Sequence, residues 1–226
     1  MKILSKKDCA AVLDLLRAAY PKAGCALEHR NVFELLVKVV LSAQTTDKSV
    51  NAVSGELFGL CPDAASLAAA DEEELRRILR PIGMYRTKAR NIKALAARLA
   101  SAHDGAVPAD YDALIALPGV GRKTANVVLA VGFGLQRIAV DTHVFRVANR
   151  IGLCDEKDVL QTELALMRKL PGDRLTEAHH SLIFHGRGCC GARRPACEAC
   201  PVLGYCRYAH ALHGPGESAV QGRRTE

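Results

Sequence analysis

The apolar residues of this chain recur at helical spacing nearly throughout, and no stretch alternates as a half-buried strand does. Val12, Leu13, Leu15 and Leu16 form one apolar face behind Ser5, which has the type and place of an N-cap. Val32, Phe33, Leu35, Leu36, Val39 and Val40 predict a well-buried helix over residues 31–42. Asp71 followed by Glu72, Glu73 and Glu74 reads as a cap with an acidic first turn, and Leu75, Ile78 and Leu79 as the apolar face behind it. Pro81 and Gly83 end that helix. The Ala- and Leu-rich run 88–102 is strongly helical, and further helices fit at 122–133, 142–151, 157–170 and 176–186. The expectation is an all-α fold of about ten short helices. From residue 211 onward, Gly214, Pro215, Gly216 and Gly222 predict a disordered tail over 211–226.

Composition narrows the class. Of the 226 residues, 49% are hydrophobic, enough for a proper core, yet no apolar run reaches membrane-spanning length. The charged start Met1-Lys2-Ile3-Leu4-Ser5-Lys6-Lys7 has no apolar segment behind it, so no secretory signal is read and the cytoplasm is the expected compartment. A formal charge of +7 favours a polyanionic partner, nucleic acid first among them. With five Phe, five Tyr and no Trp, stacking is not the expected recognition mode; polar edge contacts are.

Two segments carry chemistry at opposite ends of one argument. In Leu117-Pro118-Gly119-Val120-Gly121-Arg122-Lys123-Thr124, the proline and two glycines make a tight turn leading into a helix. The free N–H groups at that helix start, with Arg122 and Lys123 beside them, suit a phosphate, as in a helix-hairpin-helix element gripping the DNA backbone. Asp141 stands in Ala139-Val140-Asp141-Thr142-His143-Val144. By pattern alone it is a helix N-cap, and Lys123 a solvated phosphate contact. The alternative is that Lys123, at the positive end of a helix dipole, is a nucleophilic amine and Asp141 its carboxylate partner.

The nine cysteines are unlike one another in distribution. Cys9, Cys25, Cys61 and Cys154 are scattered, as core-filling cysteines are, while Cys189, Cys190, Cys197, Cys200 and Cys206 crowd one short stretch. Cys190-x6-Cys197-x2-Cys200-x5-Cys206 offers four thiolates to a metal. Zinc accepts four cysteines, but its sites more often pair two C-x-x-C knuckles, and only one is present; an iron–sulfur cluster tolerates the uneven spacing. Arg193 and Arg194 in the first loop present charge to a phosphate, and Cys189 is a spare thiol.

With these strings together, residues 20–208 resemble the bacterial endonuclease III family of the helix-hairpin-helix DNA glycosylase superfamily. The resemblance rests on LPGVGRKTANVV from Leu117, VDTHVFRV from Val140, HGR from His185 and the cysteine spacing. It implies two helical domains flanking a DNA-binding cleft. One is a six-helix barrel over 23–136; the other joins 1–22 to 137–210 and carries a [4Fe–4S] cluster on Cys190, Cys197, Cys200 and Cys206. It implies that Lys123 is the nucleophile, Asp141 its partner, and Gln44 of Leu41-Ser42-Ala43-Gln44-Thr45-Thr46-Asp47 the residue that fills the gap left by an extruded base. Gly119, Gly121, Arg122, Thr124, His143, Arg193 and Arg194 are the further expected DNA contacts. The family often has leucine after Ile-Gly in the wedge loop; here the string is Ile82-Gly83-Met84-Tyr85, so Met84 is the expected wedge, apolar and more flexible.

The implied activity is excision of oxidised pyrimidines from duplex DNA through a lysine Schiff base, followed by strand cleavage by β-elimination; the sequence carries no signal for oligomerisation, and a monomer is the default expectation. A monofunctional mismatch glycosylase commonly lacks the hairpin lysine, so Lys123 counts against it. A non-catalytic DNA-binding metalloprotein would leave the pairing of Lys123 with Asp141 a coincidence.

Overall fold

The computed structural model describes residues 3–213, and among them there is no strand. In chain order the helices are α1 (Lys6–Ala19), α2 (Val32–Leu41), α3 (Asp47–Leu60), α4 (Ala64–Ala69), α5 (Glu72–Leu79), α6 (Tyr85–Ala102), α7 (Tyr111–Ile115), α8 (Arg122–Phe133), α9 (Thr142–Ile151), α10 (Val159–Lys169), α11 (Leu175–Gly188) and α12 (Arg207–His213). Two single 3-10 turns, Cys197–Ala199 and Leu203–Tyr205, interrupt the stretch before α12. The all-helical expectation holds, with more helices than periodicity alone suggested. None is long and apolar enough to cross a membrane. The expected tail divides: Ala211, Leu212 and His213 close α12, and 214–226 lie outside the described residues.

Caps place the helix starts. Ser5 and Asp8 form a reciprocal capping box at α1, and the Asp71 carboxylate accepts from the amides of Glu73 and Glu74 at α5. At α6 the start is different: Met84, in the left-handed region at φ 58°, precedes the helix with no side-chain cap, and the helix begins at Tyr85 rather than Lys88.

The chain divides into two compact units, one of Cys25–Ala139 and one in which the residues up to Gly24 join those from Val140 onward. The first is built around α2, whose residues from Phe33 to Leu41 are all buried. Its apolar positions pack against α8, α6 and α3, while α4 and α5 pack on α6. Such a helix brings two polar residues inward as well. Glu34 is held by the Arg30 guanidinium and backbone N–H, and Lys38 donates to the Glu28 carbonyl. In the second unit α9 packs on α11, α10 and α12, and α11 on α1. The α9–α11 crossing is close: a Cβ added at Gly186 would sit 3.0 Å from the Cβ of His143. Only a small residue lets the two helices approach this far.

Candidate active site and metal centre

The turn before α8 follows from its sequence. The Val120 N–H donates to the Leu117 carbonyl at 3.1 Å, closing a four-residue turn. Pro118 supplies the fixed φ of the second position, and Gly119 takes the third at φ +77°, the pattern of a type II turn. A Cβ at Gly119 would lie 3.3 Å from Val40 Cγ1 and 3.4 Å from Asn91 Cβ, so the turn is pressed onto α2 and α6. Gly121 is the N-cap of α8 and, having no side chain, caps nothing. The N-cap thus offers no acceptor to the first-turn amides of α8, as suits an anion site at a helix start. Lys123 is exposed in that first turn, and Arg122 stacks over the Tyr111 ring at 5.4 Å. Arg137 approaches the same ring at 5.8 Å. Gly119→Ala is expected to cost about 1–3 kcal/mol, because a left-handed backbone and two close contacts act together. Gly121→Ala, at φ −104° with open space around it, is expected to cost less, about 0.5–1 kcal/mol, because alanine is a poorer N-cap than glycine. Thermal denaturation of the pair checks this.

Two other expected contact residues share the unit of Lys123. Gln44 and Met84 are both non-glycine residues at positive φ, 53° and 58°, and both are exposed, Met84 by half. A bulky side chain in that region stores strain of about 1–3 kcal/mol and persists where the surroundings impose it. One such constraint escaped the sequence. Lys88, buried on α6, donates through Nζ to Thr45 Oγ1, tying the segment after Gln44 to the helix that Met84 precedes. Burial holds the Lys88 ammonium below its usual pKa. Lys88→Met is expected to change stability by less than about 1.5 kcal/mol, since removing a buried charge offsets the lost bond. It should speed hydrogen exchange at the Thr45 amide, which donates to the Ser42 carbonyl.

Asp141 lies in the other unit, as the N-cap of α9. Its Oδ1 accepts from the amides of His143 at 2.9 Å and Val144 at 2.8 Å. The capping role weighed from sequence is thus present, and it fixes the orientation of the carboxylate. Among the described residues both of these bonds fall on Oδ1 and none on Oδ2. His143 Nδ1 meets Arg146 Nη2 at 3.1 Å.

Cys190, Cys197, Cys200 and Cys206 line one small apolar chamber with Cys189, His185 and Tyr208. α9 holds the start of its wall. Arg146 donates to the carbonyls of Gly186 and Cys190, and Arg150 to those of Gly191 and Ala192 at 2.7 and 2.8 Å. Arg150 also stacks on Tyr208 at 4.5 Å. Burial pushes the Cys200 thiol up to about 12 and the Cys206 thiol upward, a costly setting for thiolates unless a cation is bound among them.

Zinc bound by four thiolates would bring their sulfurs to roughly 3.8 Å of one another, given Zn–S bonds of about 2.3 Å. Among the described residues the only trio of metal-ligating side chains with atoms mutually within 4.8 Å is His185, Cys189 and Cys200. No three of the four spaced cysteines have their sulfurs gathered as one zinc ion would gather them, and four thiols lining one chamber suit a larger multi-iron cluster. Cys189 lies beside the set and donates to the Ala196 carbonyl at 3.4 Å. Arg193 and Arg194 are exposed in the loop between Cys190 and Cys197.

Comparison with known proteins accords with both features. Residues 37–172 match the family model of the HhH-GPD superfamily base excision DNA repair protein, and residues 190–206 that of the iron–sulfur binding domain of endonuclease III. The chain is 48% identical over 206 residues to Endonuclease III of Bacillus subtilis (strain 168), covering 91% of this chain and 94% of that protein. A non-covalent endonuclease III–DNA complex superposes with a TM-score of 0.87 at 46% identity, covering 93% of this chain and 99% of that one. A trapped endonuclease III–DNA covalent intermediate, an estranged-adenine complex, matches at 0.87 and 47%, with the same coverage.

Proposed function

The chain belongs to the endonuclease III family of the HhH-GPD superfamily of base excision DNA repair proteins, and on that footing we propose that it excises oxidised pyrimidines from duplex DNA and then cleaves the strand at the abasic site. The observation that carries the reading is an exposed lysine in the uncapped first turn of α8, immediately after a glycine turn built to meet phosphate. The phosphate contact and the nucleophile are then neighbours in one rigid element.

The steps follow from the residues. The target nucleotide leaves the stack, which costs a few kcal/mol and is easiest for a damaged base. Gln44 and Met84, exposed and already in strained conformations, enter the space left behind. The Lys123 amine attacks C1′ and the base departs with the glycosidic electron pair. The Oδ2 oxygen of Asp141, free of the cap, takes the amine proton or stabilises the positive sugar as it forms. The Schiff base acidifies the C2′ proton, and its loss expels the 3′ phosphate by β-elimination. Gly119, Gly121, Arg122, Thr124 and His143 hold backbone phosphates, with Arg193 and Arg194 contributing from the cysteine loop.

Cys190, Cys197, Cys200 and Cys206 hold the [4Fe–4S] cluster, which when bound supplies the rigid core around which that loop folds. The enzyme acts as a monomer: of its large exposed apolar side chains among the described residues, only Val159 and Leu160 share an element. Its place of action is the cytoplasm, at the nucleoid, where its substrate lies. The test is a duplex bearing one oxidised pyrimidine. The reading predicts alkali-independent nicking on the 3′ side and a borohydride-trapped adduct; an intact abasic strand without an adduct would overturn it.

A further inference from the structure

His185 is the most deeply buried polar group in the cysteine chamber, 1% exposed, and both of its ring nitrogens face polar partners. Nε2 lies 3.7 Å from the Cys200 sulfur and Nδ1 lies 3.0 Å from the Tyr20 hydroxyl. The Tyr20 ring meets the imidazole edge-on at 5.8 Å, so the ring is held by packing as well. The two contacts settle each other's direction. A ligating thiolate only accepts hydrogen bonds, so the imidazole carries its N–H at Nε2, and Nδ1 is left to accept from the Tyr20 O–H. A second ligand sulfur, that of Cys190, has the Arg150 Nη1 donor at 3.6 Å. Arg150 is positioned by its bonds to the Gly191 and Ala192 carbonyls and by the Tyr208 ring. No residue of this group takes part in the steps on DNA.

We propose that Tyr20, through His185, and Arg150 set the reduction potential of the cluster held by Cys190, Cys197, Cys200 and Cys206. A donor aimed at a ligand sulfur stabilises the form carrying more negative charge, which is the more reduced one, and so raises the potential. Tyr20 is a positioning residue: its hydroxyl fixes the tautomer and the tilt that deliver the Nε2 proton to the Cys200 sulfur. The link joins the end of α1 to the start of the cysteine loop, so the N-terminal segment of this unit helps set the electronic state of the metal centre at the other end of the chain. The proposal rests on the assignment of those four cysteines as ligands.

The experiment is a spectroelectrochemical titration of the purified holoprotein, following the visible absorbance of the cluster, in the parent, Tyr20→Phe, His185→Leu and His185→Gln. His185→Leu is expected to change the ratio of reduced to oxidised cluster at a fixed potential about tenfold toward oxidised, a shift of about 59 mV to more negative potential for a one-electron couple. Tyr20→Phe should shift in the same direction by less. His185→Gln keeps an N–H donor and should recover most of the parent potential. If His185→Leu loses iron on purification, Tyr20→Phe decides, since it removes one hydroxyl and leaves the ring packing intact. Iron-loaded Tyr20→Phe and His185→Leu with the parent potential would overturn the proposal while leaving the cluster assignment standing. A parent protein without iron would overturn the cluster assignment itself.

Discussion

Lys123→Gln is expected to abolish borohydride trapping and to slow base release by on the order of 10⁴-fold or more, the scale seen when a covalent nucleophile is removed. The expectation is specific because Lys123 is exposed. Removing an exposed amine from the first turn of α8 takes nothing from the core, so the melting temperature should stay within about 1 °C of the parent. Binding to abasic DNA should also persist, since the uncapped amides of α8 and the Gly119 turn remain in place. The measurement is a trapping assay, a single-turnover excision assay and a binding isotherm on the same preparation. A variant that still traps would place the nucleophile elsewhere. A variant that loses binding and trapping together would make Lys123 a phosphate contact, the plainer reading its position also allows.

Iron removal has the largest expected effect on structure. The stretch from Cys189 to Cys206 contains only two single-turn helices, and its buried apolar content is little beyond Val202 and the cysteines themselves. Its remaining support comes from α9 through the carbonyl bonds of Arg146 and Arg150. A segment so poor in core depends on its metal, and the free energy of metal binding is then folding free energy. Loss of several kcal/mol should lower the melting temperature by about 10 °C or more, at roughly 2–4 °C per kcal/mol for a chain of this size. Residues 190–206 should become the first site of protease cleavage, and affinity for DNA should fall because Arg193 and Arg194 lose their platform. Cys206→Ser and a chelated parent should behave alike in calorimetry and limited proteolysis. A chelated protein that melts at the parent temperature with the loop intact would show that the arginine bonds alone hold it.

The parts read correctly from sequence are those whose cause is local. α8 and α9 occupy the predicted residues because caps, periodicity and flanking glycines act within one or two turns. The same holds for the turn at Gly119, where Pro118 fixes one φ and glycine alone accepts the next. Periodicity does not reveal α4 and α7, which are six and five residues long, shorter than any helix that holds itself together in isolation. Their stability comes from packing on α6 and α8. α3 is hidden in the sequence for a different reason: Gly55 and Gly59 lower its intrinsic propensity, and Val50, Val53, Leu57 and Phe58 are what bury it.

What the sequence determined alone was the helical class, the glycine turn and the crowded cysteine spacing, because each is written in neighbouring residues. What the tertiary structure decided was which distant groups meet. Tyr20 and His185 stand 165 positions apart, Lys88 and Thr45 stand 43 apart, and Arg150 reaches the loop 40 and more residues on. The physical reason is that periodicity and capping act over one or two helical turns, whereas a hydrogen bond between remote residues exists only once burial has brought their helices together and excluded the water that would otherwise take their place.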